Sequence, residues 1–459
     1  MARRKKTNKI IFLLVLVVIA LALFFAKQFE IFEKNPPVIY AEDKVYLNLA
    51  EPIIMRIADE QSGLASIKIT LKKDSNDSGV VIKDERLNNK FESTLEIFLP
   101  KNSYKEKINS YIMQVEAKDK SFWNFFGGNT AFKEILIILD DKKPLVSILS
   151  NSYQIEQGGA ASVVFKVKDE NLDQVFIQTD KGKVFAVSPY LKQDYYASLI
   201  AWDSKDEDFR AYVVAKDKAG NTTKERIRFY LKNRQYRNSN IALNDRFLEG
   251  KIQTLAEQYA PQGSNFNKLE SFKFVNEDLR LGNEKRIHAL TAQVSNQTLK
   301  SFPIRLFLPL KNAMKVADFA DHRFYSYEGE FVSDSYHMGL DLASVAKAPI
   351  FSSNDGRVVF AEENGIYGIN IVIDHGFGLY SLYGHCTVSE VSVGDEVKAG
   401  DIIADTGVSG LALGDHLHFG ILIQGVEVRP EEWQDSNWIK NNISKVLDEG
   451  KKIIQSETR

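Results

Sequence analysis

The sequence predicts a mainly β, multidomain chain. It has an N-terminal transmembrane helix, two β-sandwich modules, a short helical segment and a C-terminal antiparallel β domain. Three observations carry this prediction. Short runs of alternating apolar and polar residues, bounded by Gly, Asn and Asp turns, recur along most of the length. Two stretches about 100 residues apart repeat the same turn motifs, a spacing that marks a domain repeat and not a solenoid. One long, uniformly apolar run stands at the N-terminus. At 459 residues the chain exceeds one ordinary core and suggests about three domains.

Composition narrows the classes of function. Hydrophobic residues make up 44% and charged residues 26%, which is ordinary for folded protein and argues against disorder. The 59 basic and 61 acidic residues leave a net charge of -2, so no nucleic-acid partner is expected. Cys386 is the single cysteine, which excludes an intramolecular disulfide and a cysteine-based zinc finger. Any metal must be held by His, Asp or Glu.

The elements follow in chain order. Residues 1–9 carry Arg3, Arg4, Lys5, Lys6 and Lys9 and read as a cytoplasmic basic segment. The run from Ile10 to Ala26 is apolar on all faces and reads as a transmembrane signal anchor over 10–26. Ala20-Leu21-Ala22 offers a signal-peptidase site, but Leu23, Phe24 and Phe25 continue the apolar run beyond it, which favours an uncleaved anchor. The expected location is therefore the inner membrane, single-pass, with the bulk of the chain in the periplasm. A tether follows over residues 28–36.

Two modules are expected at 37–142 and 143–235. The first contains Ala117-Lys118-Asp119-Lys120 and then Gly128-Asn129-Thr130; the second contains Ala215-Lys216-Asp217-Lys218 and then Gly220-Asn221-Thr222. Asp59-Glu60 with Leu64, and Asp169-Glu170 with Leu172, repeat an earlier turn. Residues 66–71 and 162–167 alternate as half-buried strands, and residues 226–230 read as the last strand of the second module. Both modules resemble the immunoglobulin-like modules of bacterial surface proteins. They bring no catalytic constellation and read as spacers.

Residues 240–300 predict a helical linker region. Asn244-Asp245 caps a helix bearing Phe247, Leu248, Ile252 and Leu255, Pro261-Gln262-Gly263 breaks it, and a second helix spans about 276–290 with His288 on its surface. From 303 to 435, strands at 357–360, 368–373 and 379–383 alternate with glycine turns and predict the antiparallel β domain. Residues 436–459 read as a C-terminal helix or a loose tail.

Five of the seven histidines lie between His337 and His418. His337-Met338-Gly339-Leu340-Asp341 combines an imidazole and a carboxylate, both good zinc ligands, around a glycine that permits close approach. In His416-Leu417-His418-Phe419 the two imidazoles share one strand face while Leu417 and Phe419 face the core. Spacing alone leaves open which of the two is a ligand. Tyr383-Gly384-His385-Cys386 ends a strand and says little by itself. His375 reads as structural, and Cys386 as a buried hydrophobe. No His-Glu-x-x-His helix is present, so a glutamate-base zinc site is disfavoured.

Taken in order, these three motifs resemble the LytM and lysostaphin-type zinc metallopeptidases over residues 303–435. The resemblance implies a site with one Zn2+ per chain, held by His337, Asp341 and His418, with His385 and His416 as non-ligating catalytic histidines. It implies hydrolysis of peptide cross-links or stem peptides of peptidoglycan in cell-wall remodelling, as in membrane-anchored Gram-negative relatives. The expected partners are the peptidoglycan substrate and, through the N-terminal helix, the membrane. Some relatives have lost ligands and activate a separate amidase; this chain retains the full set of five.

Overall fold

A computed structural model describes residues 2–28, 32–48, 50–99 and 109–457. Met1 of the basic segment, part of the tether, parts of module 37–142 and the end of the 436–459 segment lie outside the described residues.

The apolar N-terminal run forms the helix Ala2–Gln28, with no Gly or Pro to interrupt it. Among the described residues, however, no helix is long and apolar enough to cross a membrane. The expected transmembrane helix over 10–26 is corrected on that ground. Nothing among the described residues supports the membrane contact inferred from that helix.

The chain divides into two compact units. The first comprises the residues up to Lys143 together with Glu170–Asp173 and Lys216–Thr222. A sheet of Val38–Tyr40, Ile53–Ala58 and Glu92–Ile97 and a larger one of Lys44–Leu47, Thr130–Leu139, Ser110–Asp119, Leu64–Lys72 and Val80–Lys90 surround a core of Leu, Ile, Val and Met. Alternation sets these faces: Ser110–Asp119 buries every second residue. The repeated turn motif has a structural cause. Asp119 Oδ1 accepts the Asn129 backbone N–H at 2.7 Å while Asn129 Nδ2 donates to Asp119 Oδ2 at 2.8 Å. Asp217 and Asn221 repeat both bonds at 2.8 Å.

The second unit holds Pro144–Asp169, Gln174–Ala215 and everything from Thr223 onward. Ala160–Lys168 sits between Leu145–Asn151 and Tyr195–Ala201 in an antiparallel sheet. The single strand expected at 226–230 is broken: Thr222–Ile227 ends, and Tyr230–Lys232 pairs in parallel with Gln154–Glu156.

Two helical stretches follow, at residues 245–259 and 268–291. The Asn244 side chain accepts the Phe247 N–H, and Leu248, Ile252 and Leu255 turn inward. The second stretch begins at Lys268, earlier than expected, because Asn267 and Glu270 form a capping box. His288 is not a free surface histidine. Its Nε2 lies 2.6 Å from the Glu427 carboxylate, where its helix meets the Gly425–Glu427 turn.

The C-terminal sheet is antiparallel in the order Met314–Ala317, Leu340–Ala343, Leu417–Ile423, Leu379–Cys386, Ile369–Asp374, Gly356–Glu363, Glu396–Val397. A second sheet joins Asn238–Ala242, Asp321–Tyr327 and Glu330–His337, so a strand from before the helices borders the site. Of the two readings for the last residues, the helix is the one observed. Lys445–Ser456 buries Val446, Leu447, Gly450 and Ile454 and packs against Leu145–Asn151 and Ala160–Lys168.

Candidate functional site

Strand register assembles the site. Asp341 lies directly opposite His418 across one strand pair, and His418 lies opposite Gly384 across the next. His337 ends the Glu330–His337 strand, immediately before the turn into Leu340–Ala343. Leu417 and Phe419 are fully buried, so the period of two turns the His418 side chain to the opposite face. His416 precedes that strand and is bridged to Gly407.

The three side chains meet closely. His337 Nε2 is 2.9 Å from Asp341 Oδ1 and 3.1 Å from His418 Nδ1, and His418 Nδ1 is 3.0 Å from the same oxygen. Each residue offers one ligand atom, and these atoms all lie within 4.8 Å of one another. His337 Nδ1–H donates to the Asp318 carbonyl at 2.8 Å, which leaves the lone pair of Nε2 facing Asp341 and His418. Two imidazole nitrogens and a carboxylate, all buried, form an acceptor-rich pocket that a divalent cation of zinc type satisfies. Gly339 is what allows the packing. A Cβ there would stand 2.6 Å from His418 Cε1 and Nε2 and 2.8 Å from the Phe419 carbonyl.

Two further imidazoles flank this trio. The His385 ring lies 4.8 Å from that of His416 and 5.8 Å from that of His418. His385 Nδ1–H donates to the Ser409 carbonyl at 2.9 Å, and His416 Nδ1–H to the Gly414 carbonyl at 2.7 Å. Both rings therefore turn Nε2 towards the cluster; that of His416 is 3.6 Å from Asp341 Oδ1. His385 holds this pose with a backbone φ of 64°, a left-handed conformation unusual for a non-glycine residue.

Burial favours the neutral form of two of these imidazoles, His418 and His385. Burial pushes His418 down to about 4. Burial, with His418 and His416 adjacent, drives His385 well below the usual imidazole range. Burial alone would raise the Asp341 carboxyl, but His337 and His418 beside it hold it well below the usual carboxylate range.

The cluster opens into a cleft of about 870 Å3 bounded by Asn238–Ala242, the first helical stretch and the 411–413 loop. His322 does not line it; its ring stacks on Tyr336 and bonds to Asp334 at 2.6 Å. His375 sits half-buried between the Asp355 carbonyl and the Ser381 hydroxyl, and burial lowers it to about 4. Cys386 is buried and free, its thiol pushed up to about 12 by burial. Sequence reasoning missed the carbonyls of Asp318, Ser409 and Gly414, which orient three imidazoles; a backbone acceptor leaves no residue-type signal. It also missed Tyr367, whose ring lies 5.5 Å from that of His418. The signal there was the pair Gly365 and Gly368, both at positive φ.

Residues 335–430 match the model of peptidase family M23. DD-carboxypeptidase/endopeptidase Mpg of Neisseria meningitidis serogroup B is 34% identical over 94 residues, 20% of this chain and 22% of that protein. Murein hydrolase activator EnvC of Escherichia coli is 44% identical over 79 residues, 17% of this chain and 19% of that protein. Peptidoglycan DD-endopeptidase ShyB of Vibrio cholerae is 35% identical over 88 residues, 19% of this chain and 21% of that protein. The match thus spans about a fifth of these relatives. Among solved structures, a putative peptidase M23 from Pseudomonas aeruginosa aligns at 18% identity and a TM-score of 0.37, over 61% of this chain and 93% of that one. The chain carries a C-terminal peptidase M23 domain of the LytM type.

Proposed function

We propose that this M23 domain is a zinc-dependent hydrolase of peptide bonds in peptidoglycan, acting on cross-links or stem peptides. The observation that carries the reading is the convergence of His337, Asp341 and His418 within 4.8 Å, beside two oriented imidazoles that ligate nothing. Relatives named as endopeptidases support the substrate class. The same reading requires the domain to work outside the cytoplasmic membrane, where peptidoglycan lies.

His337 through Nε2, His418 through Nδ1 and Asp341 through its carboxylate would hold the metal. When bound, zinc supplies Lewis acidity, polarising a scissile carbonyl and acidifying water towards about pH 7. The other steps fall to the chain. His385, kept neutral by burial, accepts a proton at Nε2 from the attacking water and returns it to the leaving amine. His416 turns the Nε2 lone pair to the same space and accepts a hydrogen bond from the attacking water, orienting it. The Ser409 and Gly414 carbonyls keep both rings in the required orientation.

His337→Ala or His418→Ala should abolish both zinc binding and muropeptide cleavage. His385→Asn, which tolerates the left-handed backbone, should keep zinc and lower kcat about 10²–10⁴-fold. Full activity of His418→Ala protein on isolated sacculi would sink the reading. A second reading is a catalytically idle protein that binds the wall and activates a separate hydrolase, motivated by the 44% identity to EnvC. The presence of all five residues favours hydrolysis. Stimulation of an added amidase by metal-free protein, with no cleavage of its own, would favour the activator.

A further inference from the structure

The cleft beside the cluster is charged in the opposite sense to the chain. Five cations line it, Arg237, Arg246, Lys251, Arg280 and Arg323, against two acids, Asp321 and Asp341, in a chain of net charge -2. Asp341 belongs to the ligand trio, and Asp321 is held by the Ser239 hydroxyl at 2.8 Å and by Arg323 Nε at 3.3 Å. Among the described residues the Arg246 guanidinium has no acidic partner. The Lys251 ammonium donates to the Val408 carbonyl at 2.7 Å. Burial lowers its pKa, and no carboxylate opposes that effect.

These cations sit at the two ends of the row of imidazoles. Val408, whose carbonyl accepts the Lys251 hydrogen bond, adjoins Ser409, whose carbonyl holds His385. At the other end Arg237 lies 3.9 Å from Asp318, whose carbonyl holds His337, and Arg323 is next but one to Asp321, the strand partner of His337. All five cations lie outside residues 335–430, the stretch that matches the family model. They come from the chain's own helical stretches and bordering strands.

We propose that this cleft is a two-ended carboxylate-binding groove, in which Lys251 and Arg246 take a free carboxylate beyond His385 and Arg323 and Arg237 take one beyond His337. The groove selects peptides with free acidic groups on both sides of the bond at the cluster. This rests on the hydrolase reading for the word "bond", but not for the binding itself. Stem peptides of peptidoglycan carry such free carboxylates. Bonds between cations and carboxylates are shorter and stronger than those to a neutral amide, so replacing the acid by a carboxamide removes most of the preference.

The test uses the full chain, with a fluorescently labelled stem peptide bearing free carboxylates and a counterpart of the same sequence carrying carboxamides. Anisotropy titrations should show the free-acid peptide binding about tenfold or more tightly, with the preference shrinking as salt rises. Lys251→Gln and Arg323→Gln should each cut that ratio, and Lys251→Arg should retain it. Misfolding weakens both peptides alike, so the ratio separates it from lost recognition. Equal affinities in the wild type, or a ratio untouched by both glutamine variants, overturns the groove. Sacculus digestion in parallel keeps the two readings apart. Preference without cleavage removes the hydrolase and leaves the groove; cleavage without preference removes the groove alone.

Discussion

At the scale of single residues, Gly339 links sequence to chemistry most directly. It separates two proposed ligands in the chain and lies under the imidazole of the third, where a Cβ on it would stand 2.6 Å from His418 Cε1 and Nε2. Gly339→Ala should therefore push His418 off its position without unfolding the sheet. A loss of about 10–100-fold in zinc affinity is expected, the size seen when supporting groups of a metal site are disturbed. A competition titration with a chromogenic chelator reads it, and wild-type affinity in the variant would refute the argument. The residue types of the site were visible in the sequence, not from any one spacing but from three motifs that in order resemble one family. Spacing did not choose between His416 and His418; only the family resemblance did. The choice depends on His418, and not its neighbour, standing opposite Asp341 in the strand register.

Elements were legible where local chemistry dominates. The cap at Asn244, the break at Pro261 and the strands within 356–386 all follow from short-range propensity. They were less legible where a distant partner decides. The final helix, Lys445–Ser456, could equally have been a loose tail, since its ordering depends on strands some 290 residues earlier in the chain, as the Ser150 hydroxyl bonding to the Val446 carbonyl shows. Gly450 marks the contact: a Cβ there would lie 2.7 Å from Val164 Cγ1 and 2.8 Å from Val164 Cβ. Gly450→Leu removes a helix-weakening glycine, worth about 1 kcal/mol, but overpacks the contact by about 1–3 kcal/mol or more. A net fall in thermal stability is expected by scanning calorimetry. A rise in Tm would mean the helix does not pack there.

At the scale of the second unit, buried polar groups tie the Pro144–Asp169 segment to the C-terminal β domain. Arg429 bonds to Glu156 at 2.5 Å, and Glu432 Oε2 accepts the Ala160 N–H at 2.9 Å. Because Arg429 is committed to Glu156, and stands 3.7 Å from Glu432, burial dominates at Glu432 and raises its carboxyl from 4.5 to about 8. The sign follows from proton binding. Between these values the folded chain holds a proton that the unfolded chain has lost, so stability is full below 4.5 and falls as pH rises towards 8. Tm should therefore decline from about pH 5 to pH 8, and Glu432→Gln should flatten the slope over that window. An unchanged slope in the variant would show that another group sets it.

The sequence by itself determined the strand content, the repeated Asp–Asn turns, the exclusion of an intramolecular disulfide and the residue types of the site. Each of these depends on period, turn propensity or simple count, which are local properties. Its expectation of a transmembrane helix at the N-terminus was not met: among the described residues no helix is long and apolar enough to cross a membrane. Tertiary structure alone decided which histidine faces Asp341, which carbonyls orient the imidazoles, and that cations from outside residues 335–430 line the cleft. Those are contacts between segments far apart in the chain. Register and packing set them, and neither is written in any one stretch of sequence.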